Sequence, residues 1–68
     1  MEGIMITVTR LNGEKLMVNC NLIEFVEETP DTVITFTNGI KIVVKENSEE
    51  IKRAVIDYKK EIFGREII

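Results

Sequence analysis

One phrase occurs twice in this chain. Asn12-Gly13-Glu14-Lys15-Leu16-Met17-Val18 returns as Asn38-Gly39-Ile40-Lys41-Ile42-Val43-Val44. Each copy reads Asn-Gly, any residue, Lys, then apolar residues, and each follows an alternating apolar run. Asn-Gly between such runs is the strongest short-range signal for a β-hairpin. A tight type I′ turn needs positive φ at both central residues, and Asn and Gly tolerate that best. The repeat therefore predicts two tight hairpins, and a chain of 68 residues has room for little more than the sheet they build.

The runs around the repeat place the remaining strands. In Ile4-Met5-Ile6-Thr7-Val8-Thr9, Ile4, Ile6 and Val8 point one way and Met5, Thr7 and Thr9 the other. Asn19-Cys20-Asn21 is a polar break. Ile23 and Phe25 are expected on one face of a third strand, with Glu24 opposite, and Ile34 and Phe36 share a face of a fourth. Thr29-Pro30-Asp31-Thr32 reads as a turn, because Pro presets φ at the second position and Asp follows comfortably. Strands are expected at about 4–11, 14–19, 22–29, 32–37 and 40–45. Short connections between successive strands favour an antiparallel meander.

After Val44 the apolar spacing lengthens. Asn47 and Ser48 are good N-cap residues, and Glu50 stands three after Asn47, as in a capping box. Ile51, Val55, Tyr58 and Ile62 form one apolar stripe. Gly64 fits the position that ends a helix. A helix is thus expected over about 48–63, with Arg65–Ile68 as a tail. The predicted fold is one α+β domain, a five-stranded antiparallel β-meander with a C-terminal amphipathic helix.

A domain this small buries only about 60% of the surface its unfolded chain exposes, so it leans on staples or on partners. Cys20 is the only cysteine and there is no histidine, which excludes an internal disulfide and disfavours a zinc site. Several strands are apolar on both faces: Val26 stands beside Phe25, Val33 beside Ile34, and Val43 beside Ile42 and Val44. A helix of about 16 residues is about 24 Å long and covers one face of such a sheet. The second face is expected to pack against another subunit or a partner protein.

The composition narrows the function classes. A net charge of −3 argues against nucleic acid, whose phosphates need a clustered positive field. No apolar stretch approaches the roughly 20 residues of a membrane span, and the start of the chain lacks a secretory pattern. A lone thiol fits a reducing cytoplasm. Cys20 has no histidine base to activate it and reads as a small structural thiol. Glu24, Glu27, Glu28 and Asp31 cluster, with neither a histidine nor a glycine-rich loop beside them. Their plain reading is a solvated hairpin tip. As a functional patch they fit docking of a protein better than acid–base work. Arg10, at the end of the first strand, is expected to pair with a neighbouring acid. The residues thus point to a non-enzymatic protein with no catalytic or metal-binding residues and no cofactor.

Val8-Thr9-Arg10-Leu11-Asn12-Gly13, Leu22-Ile23-Glu24, Glu27-Glu28-Thr29-Pro30-Asp31-Thr32-Val33-Ile34 and Thr37-Asn38-Gly39 follow one another in an unusual order and spacing. In these motifs, over roughly residues 4–60, the chain resembles the small flagellar protein family FlbD, also known as SwrD. The resemblance implies a cytoplasmic protein of bacterial motility, recruited to the flagellar base at the inner membrane. It also implies contact with a motor stator or basal-body component, and no catalysis. Carried over by position, Arg10, Glu27, Glu28, Pro30 and Asp31 are the residues expected to face a partner. In layout the chain is also similar to the carbon-storage regulator family of dimeric RNA-binding proteins, through Thr9-Arg10 and Gly13-Glu14-Lys15-Leu16-Met17-Val18. It departs from that family where Lys45-Glu46-Asn47-Ser48 stands in place of a basic His-Arg pair.

Overall fold

The computed structural model describes residues 4–67, with side chains for residues 4–61. Five strands precede one helix: β1 (Met5–Thr9), β2 (Lys15–Asn19), β3 (Ile23–Glu28), β4 (Thr32–Phe36), β5 (Lys41–Val44) and α1 (Ser48–Ile67). The expected single meander is instead two antiparallel sheets, a β1–β2 hairpin and a three-stranded sheet in the order β3-β4-β5.

The break comes between β2 and β3. Asn19 accepts a hydrogen bond from the Asn21 N–H through Oδ1 at 2.9 Å and caps a 3₁₀ turn, Cys20–Leu22, which redirects the chain. β3 therefore pairs with β4 and not with β2. The sheets meet elsewhere, where Arg10 forms an isolated antiparallel bridge with Val44 and the Lys45 N–H donates to the Thr9 carbonyl at 2.8 Å. The first strand thus touches the last.

Both repeated phrases turn hairpins, by a different route from the expected type I′. Only Gly13 (φ 94°) and Gly39 (φ 89°) have positive φ among the described residues, so the asparagines stay in ordinary backbone space. The Gly13 N–H donates to the Arg10 carbonyl at 2.9 Å and the Arg10 N–H to the Glu14 carbonyl at 2.7 Å. Gly39, Phe36 and Ile40 repeat the pattern at 2.8 and 2.8 Å. This is a three-residue loop, a type I turn closed by a left-handed glycine bulge. Each asparagine fastens its turn from the side chain: Asn12 Oδ1 accepts the Glu14 N–H at 2.9 Å, and Asn38 Oδ1 the Ile40 N–H at 3.0 Å. Only glycine then occupies the left-handed region, which costs other residues about 1–2 kcal/mol.

The core joins both sheets to the helix. Ile6, Val8 and Val18 come from the hairpin, Ile34, Ile42 and Val44 from the three-stranded sheet, and Ile51 from α1. A register shift between Ile23 and Phe25 makes Glu24 a bulge residue. The extra residue reverses the alternation, so Phe25 does not share the inner face with Ile23 as its spacing predicts. Val26 packs against the core in its place, and Phe25 is 47% exposed.

The capping box forms as the spacing predicts. Asn47 Oδ1 accepts the Glu50 N–H, and Glu50 Oε1 accepts the Asn47 N–H, both at 2.8 Å. Ile51 is buried, and Val55 and Tyr58 are half-buried. The side chain of Ile62 lies outside the described residues. α1 does not end at Gly64: it continues to Ile67, through most of the expected tail. Met1–Gly3 and Ile68 lie outside the described residues. No described helix is long and apolar enough to cross a membrane.

Candidate functional site

The register carries one row of residues across both sheets. Glu28 pairs with Thr32, Thr32 with Val44, and Val44 bridges to Arg10. This row closes one end of the three-stranded sheet, and the link Thr29-Pro30-Asp31 lies beyond it. Four of the five expected partner-facing residues, Arg10, Glu28, Pro30 and Asp31, thus gather at one end of the sheet, with Glu27 one row in. The peptide bond preceding Pro30 is cis.

Their environments differ. Glu28 Oε1 accepts the Ser48 hydroxyl at 2.7 Å and the Ser48 N–H at 3.0 Å, so its carboxylate already sits on the start of α1. A carboxylate is favoured there by the positive end of the helix dipole. The Ser48 hydroxyl, followed by its N–H, holds the Glu28 carboxyl below the usual range, against a small opposing effect of burial. Arg10 pairs through Nε with Glu14 Oε1 at 3.7 Å, in water, as expected of an arginine at a strand end. Glu27, Pro30 and Asp31 are exposed. Among the described residues, neither the Glu27 nor the Asp31 carboxylate has a hydrogen-bond or ion-pair partner. The end of the sheet therefore presents two uncommitted carboxylates beside a proline, flanked by a third that fastens the helix.

A second carboxylate carries more structure than its sequence neighbourhood indicates. Glu46 accepts the Thr9 N–H through Oε1 at 2.9 Å and the Thr9 hydroxyl through Oε2 at 2.7 Å. It closes the seam where β1 meets the end of β5. Burial raises its pKa, but the Thr9 N–H and hydroxyl, with Lys15 nearby, outweigh this and leave it below the usual range. No sequence spacing signals a bond between residues 37 positions apart.

The other chemistry-bearing groups are sparse. Cys20 is half-buried, and burial raises its thiol pKa against the opposing pull of the Lys59 ammonium. Such a thiol is a poor nucleophile at neutral pH. Among the described residues no group of three or more His, Cys, Asp or Glu side chains is arranged to hold a metal ion. An open depression of about 450 Å³ runs along the first turns of α1, lined by Asn47, Glu49, Glu50, Arg53, Ala54 and Asp57.

The FlbD family model, described as flagellar and swarming motility proteins, matches residues 5–63. The chain belongs to the FlbD family. The match takes in β1 through β5, both glycine-bulge turns and most of α1. It therefore covers the whole end of the sheet where the expected FlbD motif residues gather. No curated protein and no solved structure matches the chain.

Proposed function

We propose that this FlbD-family chain is a non-enzymatic flagellar accessory protein that supports motility by docking a protein partner at the acidic end of its three-stranded sheet. Family membership over residues 5–63 carries the reading. Glu27 and Asp31, exposed and uncommitted beside Pro30, are its contact groups. Glu28 holds the hairpin tip against α1 and so keeps the patch in shape. A partner of complementary positive charge fits this end, and on this reading the protein works in the cytoplasm at the flagellar base, against a stator or basal-body component.

The test is complementation of a strain lacking the gene. Asp31→Lys lies in an exposed link outside the core and is expected to reduce swarming while thermal unfolding of the purified variant stays unchanged. Normal swarming by a normally folded Asp31→Lys variant removes this end from the account. Tight binding of short RNAs that weakens steeply with salt would shift the assignment to a small RNA-binding regulator.

A further inference from the structure

The three-stranded sheet turns one set of side chains away from the core, exposed at its corners and closed at its centre, where Thr35 is buried. Strand alternation and the register define it. Val26, Ile34 and Ile42 form an inward row, and Glu28, Thr32 and Val44 form another. The rows between them point outward: Phe25–Thr35–Lys41 and Glu27–Val33–Val43. Phe25 is 47% and Val43 37% exposed, and Val33 is half-buried.

The grid has a particular symmetry. One diagonal joins Phe25 to Val43, and the other joins Glu27 to Lys41, with Val33 and Thr35 between them on the central strand. The apolar corners are thus opposite each other, and so are two charges of opposite sign. A two-fold axis in the plane of the face, perpendicular to the charged diagonal, lays Glu27 of one copy over Lys41 of the other, twice. The same axis brings Phe25 near its own copy and Val43 near its own. With strands about 4.8 Å apart and same-face residues about 6.8 Å apart, strands of the two copies cross at about 70°, near the orthogonal class of sheet packing.

We propose that this outer face is a self-association surface, on which a second copy of the chain packs over Val33, with Phe25 and Val43 of each copy near their own counterparts at the apolar corners and Glu27 of each copy against Lys41 of the other. An isologous interface must be complementary to itself, and this arrangement of charges meets that condition. The free edge of β3 does not: pairing it with its own copy brings Glu24, Glu27 and Glu28 of both chains to one seam, where like charges repel. One feature at the centre of the face removes an obstacle. The Thr35 hydroxyl oxygen is buried with no hydrogen-bond partner among the described residues, so its desolvation is already spent and covering it adds little.

The size of the face sets the strength. Three strands of about five residues span about 14 by 17 Å, about 240 Å², well below the roughly 800 Å² per partner of a standard interface. The dimer is therefore weak and reversible, and association is sought from about 10 μM to about 1 mM.

Sedimentation equilibrium of the purified chain across that range tests this, independently of any role in motility. The unaltered chain is expected to show a reversible monomer–dimer equilibrium. Glu27→Lys and Lys41→Glu each place like charges in opposition and weaken it about tenfold. The double variant Glu27→Lys/Lys41→Glu restores it to within about threefold, because the pairs reform with their signs exchanged. The double variant also keeps the net charge at −3, so general repulsion is unchanged. Phe25→Ser is expected to abolish association while circular dichroism stays native. A chain that remains monomeric throughout, single reversals without effect, a double variant as weak as the singles, or full association by Phe25→Ser each overturns the proposal.

Discussion

Removing the Glu46 carboxylate is expected to loosen the joint between the two sheets. Glu46 supplies two acceptors to Thr9, at 2.9 and 2.7 Å, and beside them the Lys45–Thr9 backbone bond and the Arg10–Val44 bridge link β1 to the end of β5, over the core that Val8 and Val44 share. A hydrogen bond to a charged group contributes about 1.5–3 kcal/mol when desolvated. This carboxylate is only half-buried, so water competes for it, and about 1 kcal/mol per bond is the reasonable figure. Glu46→Ala thus costs about 2 kcal/mol, out of a total of about 3–10 kcal/mol for a domain of this length. At about 4–8 °C per kcal/mol, the midpoint of thermal unfolding falls by about 8–16 °C. Glu46→Gln keeps one acceptor oxygen and is expected to lose about half as much.

The pH dependence gives a second readout. The Glu46 pKa lies below the usual 4.5 in the folded chain. A carboxylate depressed in this way stabilises fully above its unfolded pKa and loses that contribution as pH falls through the folded value. The difference in stability between the parent chain and Glu46→Gln should be constant around neutral pH and should shrink as pH falls below about 4.5 and through the lower folded value. Circular dichroism melts at each pH measure it. A Glu46→Ala variant melting within about 2 °C of the parent at neutral pH, or a gap that stays constant in acid, refutes the clamp.

Three further outcomes follow from the same geometry. Ala at Gly13 or Gly39 meets no atom within 4 Å, so its cost is the left-handed backbone alone, about 1–2 kcal/mol by urea unfolding, and Asn at either position is expected to cost less. Asn47→Ala removes the cap on the Glu50 N–H and is expected to cost about 1 kcal/mol, read as a lower urea midpoint with unchanged slope. Ile34→Ala, at the most buried side chain of the core, is expected to cost about 2–5 kcal/mol, whereas Phe25→Ala in dilute monomeric protein should cost under about 1 kcal/mol; equal losses would mean that the bulge at Glu24 does not reverse the strand.

Local chemistry explains what could be read from the chain. Asn-Gly marks both turns because a single glycine must enter the left-handed region, and this holds whichever turn type encloses it. The Asn47–Glu50 box and the Ile51-Val55-Tyr58 stripe start and orient α1 through contacts within one or two turns. The FlbD resemblance was legible because its motifs are short contiguous runs in a fixed order along residues 5–63. Gly64 misled because a glycine permits a helix to end without requiring it.

What only tertiary structure decided concerns pairing at a distance. Nothing in Asn19-Cys20-Asn21 distinguishes a loop within a meander from a 3₁₀ turn that sends β3 away from β2. The bulge at Glu24 is a property of how β3 registers on β4, so the exposure of Phe25 could not be read from alternation in β3 alone. The Glu46–Thr9 clamp and the Glu28–Ser48 contact join residues 37 and 20 positions apart. Turns and caps are settled by neighbours along the chain, whose interactions the order of residues specifies directly. Sheet order, the face each apolar residue takes and the partner of each carboxylate depend on which segments meet in space, and that is set by the packing of the whole core.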